Sequence, residues 1–103
     1  MLSDLVTDAH TNIQADFTDL DPIVGVSQQM RRAGIAADLM TIDCLRSGKR
    51  IIMVLQDQQP DIVHYQFSFR DQDPAANFDQ MPLADVSVKT LYHWMSHYFL
   101  STQ

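Results

Sequence analysis

The run Arg50-Ile-Ile-Met-Val-Leu55 sets five apolar residues in succession with no polar residue among them. A β-strand turns alternate side chains to opposite faces, so a strand of this composition has no side that suits water. Whatever the chain folds into must cover both faces of that strand at least in part. The next stretch, Asp61 to Arg70, alternates strictly. Val63, Tyr65, Phe67 and Phe69 fall on one side and His64, Gln66, Ser68 and Arg70 on the other. The first set is expected in the core, the second toward solvent or a partner.

Upstream, Asp38 to Leu45 alternates Met40, Ile42 and Cys44 against Leu39, Thr41, Asp43 and Leu45, a third strand. Arg46-Ser-Gly-Lys49 reads as the hairpin turn before Arg50, with Gly48 free to take a positive φ. Gln56 to Pro60 supplies the second turn. A three-stranded antiparallel meander is predicted.

Helices frame it. Leu2, Val6, Ala9, Ile13 and Phe17 recur at helical spacing, predicting a helix over about 3–16 capped by Ser3 or Asp4. Asp21-Pro22 followed by Ile23, Val26, Met30 and Ala33, with Gly34 behind them, predicts a second helix over 22–33. Residues 71–84 form an expected loop holding Pro74 and Pro82, anchored on the core by Phe78, Met81 and Leu83. A last helix, capped by Asp85 or Ser87, should run to about Leu100. The order is α-α-β-β-β-α, an α+β domain over 1–103 with the meander packed by helices.

All 13 acidic residues are aspartate, and no glutamate occurs. The metalloprotease motif H-E-x-x-H and the EF-hand loop, which both need glutamate, are therefore excluded. Aspartate's short side chain suits caps and turns instead. Asp57, Asp61, Asp71, Asp73 and Asp79 fit no cation-loop spacing and read as solvated. The net charge of −6 repels nucleic acid phosphates and anionic membrane surfaces, so neither is an expected partner. The single cysteine, Cys44, forms no internal disulfide and falls on a core-facing strand position, where thiols are inert. Residues 1–10 lack the basic and apolar regions of a secretory signal, and no run of 18 apolar residues occurs, so the cytoplasm is the expected compartment.

No catalytic motif and no cofactor site is found. His93 and His97, four apart on the last helix, have the spacing of a metal-binding pair. They lie opposite the apolar face of Val88, Leu91, Tyr92, Met95, Tyr98 and Phe99, and are read as exposed and solvated, because two ligands alone make a weak site. Trp94 flanks that face, and with Tyr98 and Leu100 it forms an aromatic border of the kind enriched in protein interfaces. Five of the seven basic residues, Arg31, Arg32, Arg46, Lys49 and Arg50, fall within twenty positions and would make one positive patch if the fold brought them together.

Two functions are expected from these residues. The first is a small protein-interaction module without catalysis (a homodimer, adaptor, chaperone-like or inhibitor-like protein) that uses Trp94, Tyr98 and Leu100. Its architecture is similar in class and size to that of small acidic bacterial secretion chaperones, with no motif shared. The second is a small-molecule or phosphate-ligand protein built from His64, Arg70, Arg46, Lys49 and the loop 71–84.

Overall fold

The structure is a computed structural model that describes residues 2–17, 22–72 and 77–100. Asp21, Asp73 and Pro74 lie outside the described residues, as do the side chains of Leu2 and Ser3. The fold is α+β. Helix α1 (Leu2–Asp16) leads into strand β1 (Ile23–Ser27) and a single helical turn, α2 (Gln29–Arg32). Four strands follow: β2 (Ala37–Cys44), β3 (Lys49–Gln56), β4 (Ile62–Phe69) and β5 (Asp79–Pro82). A 3-10 turn (Leu83–Asp85) then connects to helix α3 (Val88–Phe99). The sheet is an antiparallel meander in the order β1-β2-β3-β4-β5.

The three predicted strands form the middle of this sheet, but two further strands extend it to five. The expected helix over 22–33 is instead β1 followed by the four-residue α2. Ile23, Val24 and Val26 are β-branched and lose side-chain freedom in a helix, and Gly25 in a helix interior costs about 1 kcal/mol relative to alanine. Paired with β2 in the register Val24 to Ile42 and Val26 to Met40, the same residues extend the sheet. Gly34, at φ +89°, ends α2, and the Ile35 amide returns to the Met30 carbonyl at 2.8 Å. The expected loop over 71–84 also holds structure: residues 79–82 pair with β4, so Met81 lies opposite Val63. Met81 and Leu83 pack on the main core, and Phe78 packs on the opposite face of the sheet.

The main core lies between one sheet face and the two long helices. Val6, Ala9 and Ile13 of α1 and Leu91, Met95 and Phe99 of α3 meet Met40, Ile42, Cys44, Ile51, Met53 and Val63. The apolar faces expected for both helices are the ones that bury, and Cys44 is in the core as expected. Ser87 caps α3 by accepting from the Thr90 amide at 3.1 Å, while the Ser87 amide donates to Thr90 Oγ1 at 3.3 Å. At the other end of α3, the buried Lys49 donates from Nζ to the Tyr98 carbonyl at 2.9 Å, placing a cation at the negative end of the helix dipole.

The other face of β3 is covered by the chain itself. Ile52 and Val54, with Ala37, form a second small core closed by Met30 of α2, Leu39 and Phe78. The five-residue apolar run thus finds cover on both sides, as its composition requires. Arg31 secures α2 in place. It donates from Nε to Asp38 at 2.6 Å and through two nitrogens to Asp57 at 2.7 and 2.9 Å. Those bonds hold both carboxyls below their ordinary range and the guanidinium above its own. No helix among the described residues is long and apolar enough to cross a membrane.

Candidate functional site

The second cover changes the environment of β4. His64, Gln66 and Ser68, expected to meet solvent, are buried; Phe78 and Asn77 lie over the first two, and the Gln66 amide donates to the Asn77 carbonyl at 2.9 Å. Conversely Phe67 and Phe69, expected in the core, are 41% and 38% exposed. They lie on the helix-bearing face, but near this end of β4 the cover is incomplete: α3 reaches Phe67 only on one side, through Trp94 and Tyr98.

Around Phe67 the rings form one cluster. Tyr65 stacks on Trp94 with centroids 4.6 Å apart. Phe67 meets Trp94 edge to face at 5.6 Å and Tyr98 at 5.0 Å. The Tyr98 hydroxyl donates to the Ser68 carbonyl at 2.6 Å and its ring lies 4.9 Å from the Lys49 ammonium; burial raises its phenol pKa. These bonds fix Tyr98 and so the wall on which Phe67 rests. Trp94 is partly exposed, as its flanking position predicts, and Leu100 is exposed beyond it. β5 pairs only with Ile62–Tyr65, so Gln66 to Phe69 have no strand beside them on that side among the described residues. A half-exposed aromatic surface therefore borders a length of β4 that is unpaired on one side among the described residues. Such a surface can accept apolar side chains, and its edge can accept main-chain hydrogen bonds.

The ligand residues expected from sequence do not converge. His64 lies opposite Val54, and its Nε2 is 3.0 Å from Gln59 Oε1. Arg70 lies six residues further along, about 20 Å for extended chain, with its Nε 3.4 Å from Asp43. The same aspartate takes two hydrogen bonds from Arg50, at 2.6 and 3.0 Å, and this raises the Arg50 pKa. Lys49 points to the opposite sheet face, under Tyr98, while Arg46 is in the β2–β3 turn. The basic residues do not form one patch either. Arg31 binds Asp38 at one end of β2 and Arg50 binds Asp43 at the other, five residues apart.

What surrounds His64 is a cavity of about 360 Å³ lined by Met30, Val54, Gln56, His64, Asn77, Phe78 and Gln80. Its polar groups are side-chain amides and one imidazole over an apolar floor, and among the described residues no lysine or arginine lines it. The sequence marks Met30 only as part of an apolar stripe and Gln56 only as a turn residue, and gives Gln80 no role in a site. Their convergence depends on α2 folding back over the sheet, which no local pattern announces.

His93 and His97 are exposed, with their rings stacked 5.5 Å apart. No group of three histidine, cysteine or acidic side chains gathers as a metal site among the described residues. Comparison with protein-family models, with curated proteins and with solved structures finds no match for this chain.

Proposed function

We propose that this chain is a small protein-interaction module, acting without catalysis in the cytoplasm, that receives an apolar segment of a partner protein on the edge formed by β4 and α3. One observation carries the reading: Phe67 stands 41% exposed on a packed cluster with Tyr65, Trp94 and Tyr98, and Phe69, two residues along the same strand face, is 38% exposed. Large apolar side chains grouped at one place on the surface, held rigid before binding, lose little entropy when a partner covers them. The partner is read as a protein because the net charge of −6 opposes nucleic acid and anionic lipid.

Affinity capture of the tagged chain from its own cell lysate tests this, with Phe67→Ser and Trp94→Ala run in parallel and circular dichroism used to check folding. A partner retained by the native chain and lost from both folded variants supports the module. A partner retained equally by all three refutes the proposed surface.

A second reading is favoured by the cavity at His64. Its amide lining over Met30, Val54 and Phe78 suits a small uncharged ligand with hydrogen-bonding groups. Under that reading His64→Ala abolishes ligand binding and leaves association with proteins unchanged.

A further inference from the structure

The opposite edge of the sheet is a separate surface. β1 is an edge strand with the sequence Ile-Val-Gly-Val-Ser, and Ile23, Val24 and Val26 are 47%, 38% and 63% exposed. Natural edge strands are normally blunted by charge, proline, a bulge or a covering segment. Within β1 there is no charge and no proline, and the pairing with β2 runs without a bulge from Ile23 to Ser27. An apolar strand left in this state invites another strand.

We infer that β1 pairs antiparallel with β1 of a second copy of this chain, about a two-fold axis at Gly25. The two valines are self-complementary about that residue, while Ile23 would face the partner's Ser27. Val24 would face the partner's Val26, Val26 the partner's Val24, and Gly25 would place no side chain on the axis. Directly opposed residues of antiparallel strands share a face, so both valine pairs lie on the helix-bearing side, where Ile42 and Met40 stand beside them in β2. Each valine gains an apolar neighbour in place of water. A two-fold contact requires one patch to fit itself, which this pattern meets.

Local charge permits a second copy. Two chains of net charge −6 repel wherever acidic surfaces meet, so a self-contact must avoid unpaired carboxylates. The two carboxylates of β2, Asp38 and Asp43, are both held by arginines, Arg31 in one case and Arg50 with Arg70 in the other. Among the described residues, the carboxylates of β2 would therefore not oppose one another bare when copies meet along β1, and a basic partner finds no open carboxylate on that strand. A strand of five residues offers only about 17 Å of edge. The contact is at the small end of interface sizes, below about 1,200 Å² in total, the class of weak and transient contacts.

Light scattering of the full chain across 1–500 µM tests the inference, with Val26→Lys as the variant. Val26 is the most exposed of the three side chains, so the folded monomer tolerates lysine there, and circular dichroism verifies this. The expected result is a mass that rises toward twice the monomer in the native chain, with Kd raised at least tenfold in Val26→Lys. In parallel, Val24→Cys and Val26→Cys proteins are mixed under mild oxidation. The mixed disulfide should dominate over either self-disulfide, with the native Cys44 buried and unreactive. A native chain monomeric at 500 µM overturns the inference, as does a dimer indifferent to Val26→Lys or one that cross-links 24 to 24. Since β1 is remote from the aromatic edge, a monomer that still captures a Phe67-dependent partner would refute this pairing alone. A dimer that captures none would refute only the reading proposed above.

Discussion

Replacing Ile52 with alanine probes whether the second sheet face is truly interior. Ile52 is 4% exposed and packs with Val54 and Ala37 beneath Met30 and Phe78. The change removes three carbon groups, worth about 2.4 kcal/mol at 0.8 kcal/mol each. The void left adds to this, but the cover is a single layer of side chains that can settle inward, so the total is about 3 kcal/mol. Urea unfolding followed by tryptophan fluorescence measures it. For a chain of this length the matching fall in Tm is roughly 12–18 °C. Leu45→Ala, at an exposed turn position, is the control and should cost under about 0.5 kcal/mol. A loss below about 1 kcal/mol for Ile52→Ala would mean that α2 and Phe78 do not cover this face. The cavity beside His64 would then lose its walls.

Lys49→Met keeps most of the buried stem but removes the cation that the Tyr98 carbonyl accepts from; it should cost about 1.5–3 kcal/mol and speed amide exchange in the last turn of α3, read by NMR. Acid should loosen α2. Asp38 and Asp57 are held below their ordinary 3.8 by Arg31, so their contribution is full above about pH 4 and falls as pH drops through the lower folded values. Since all three groups are exposed the effect is small, and Arg31→Gln should flatten the urea midpoint measured between pH 5 and pH 2.5. At the alkaline end, the Tyr92 hydroxyl donates to Asp16 at 2.6 Å and its pKa is raised above 10.0. Ultraviolet titration of Asp16→Asn should bring that group back toward the ordinary tyrosine range.

The features that patterned regularly were legible in the sequence. The alternation of Asp38–Leu45 and the helical stripe of Leu91, Met95 and Phe99 fold as their periods predict, and the apolar run to Leu55 is covered on both faces as its composition requires. The 22–33 segment was not legible because Ile23, Val26 and Met30 satisfy a helical period by spacing alone, while the pairing that selects a strand comes from β2. Two of the residues that now define the candidate site were misplaced for a related reason. Period-two alternation says that Phe67 shares a face with Val63, but not that α3 covers only part of its ring. Likewise His64 shares a polar face with Gln66, yet residues 77 and 78 close over both. How far a cover extends is a long-range property, and neighbouring residues do not encode it.

The aromatic edge is tested most directly by the spectrum of the ¹⁵N-labelled chain in a lysate of its own cells, compared with buffer. The account predicts that the Trp94 indole N–H and the amides of Gln66 to Phe69 shift or broaden, and that Phe67→Ser abolishes this response. Changes confined to Met30, His64 and Phe78, or a spectrum unaltered by lysate, would contradict it.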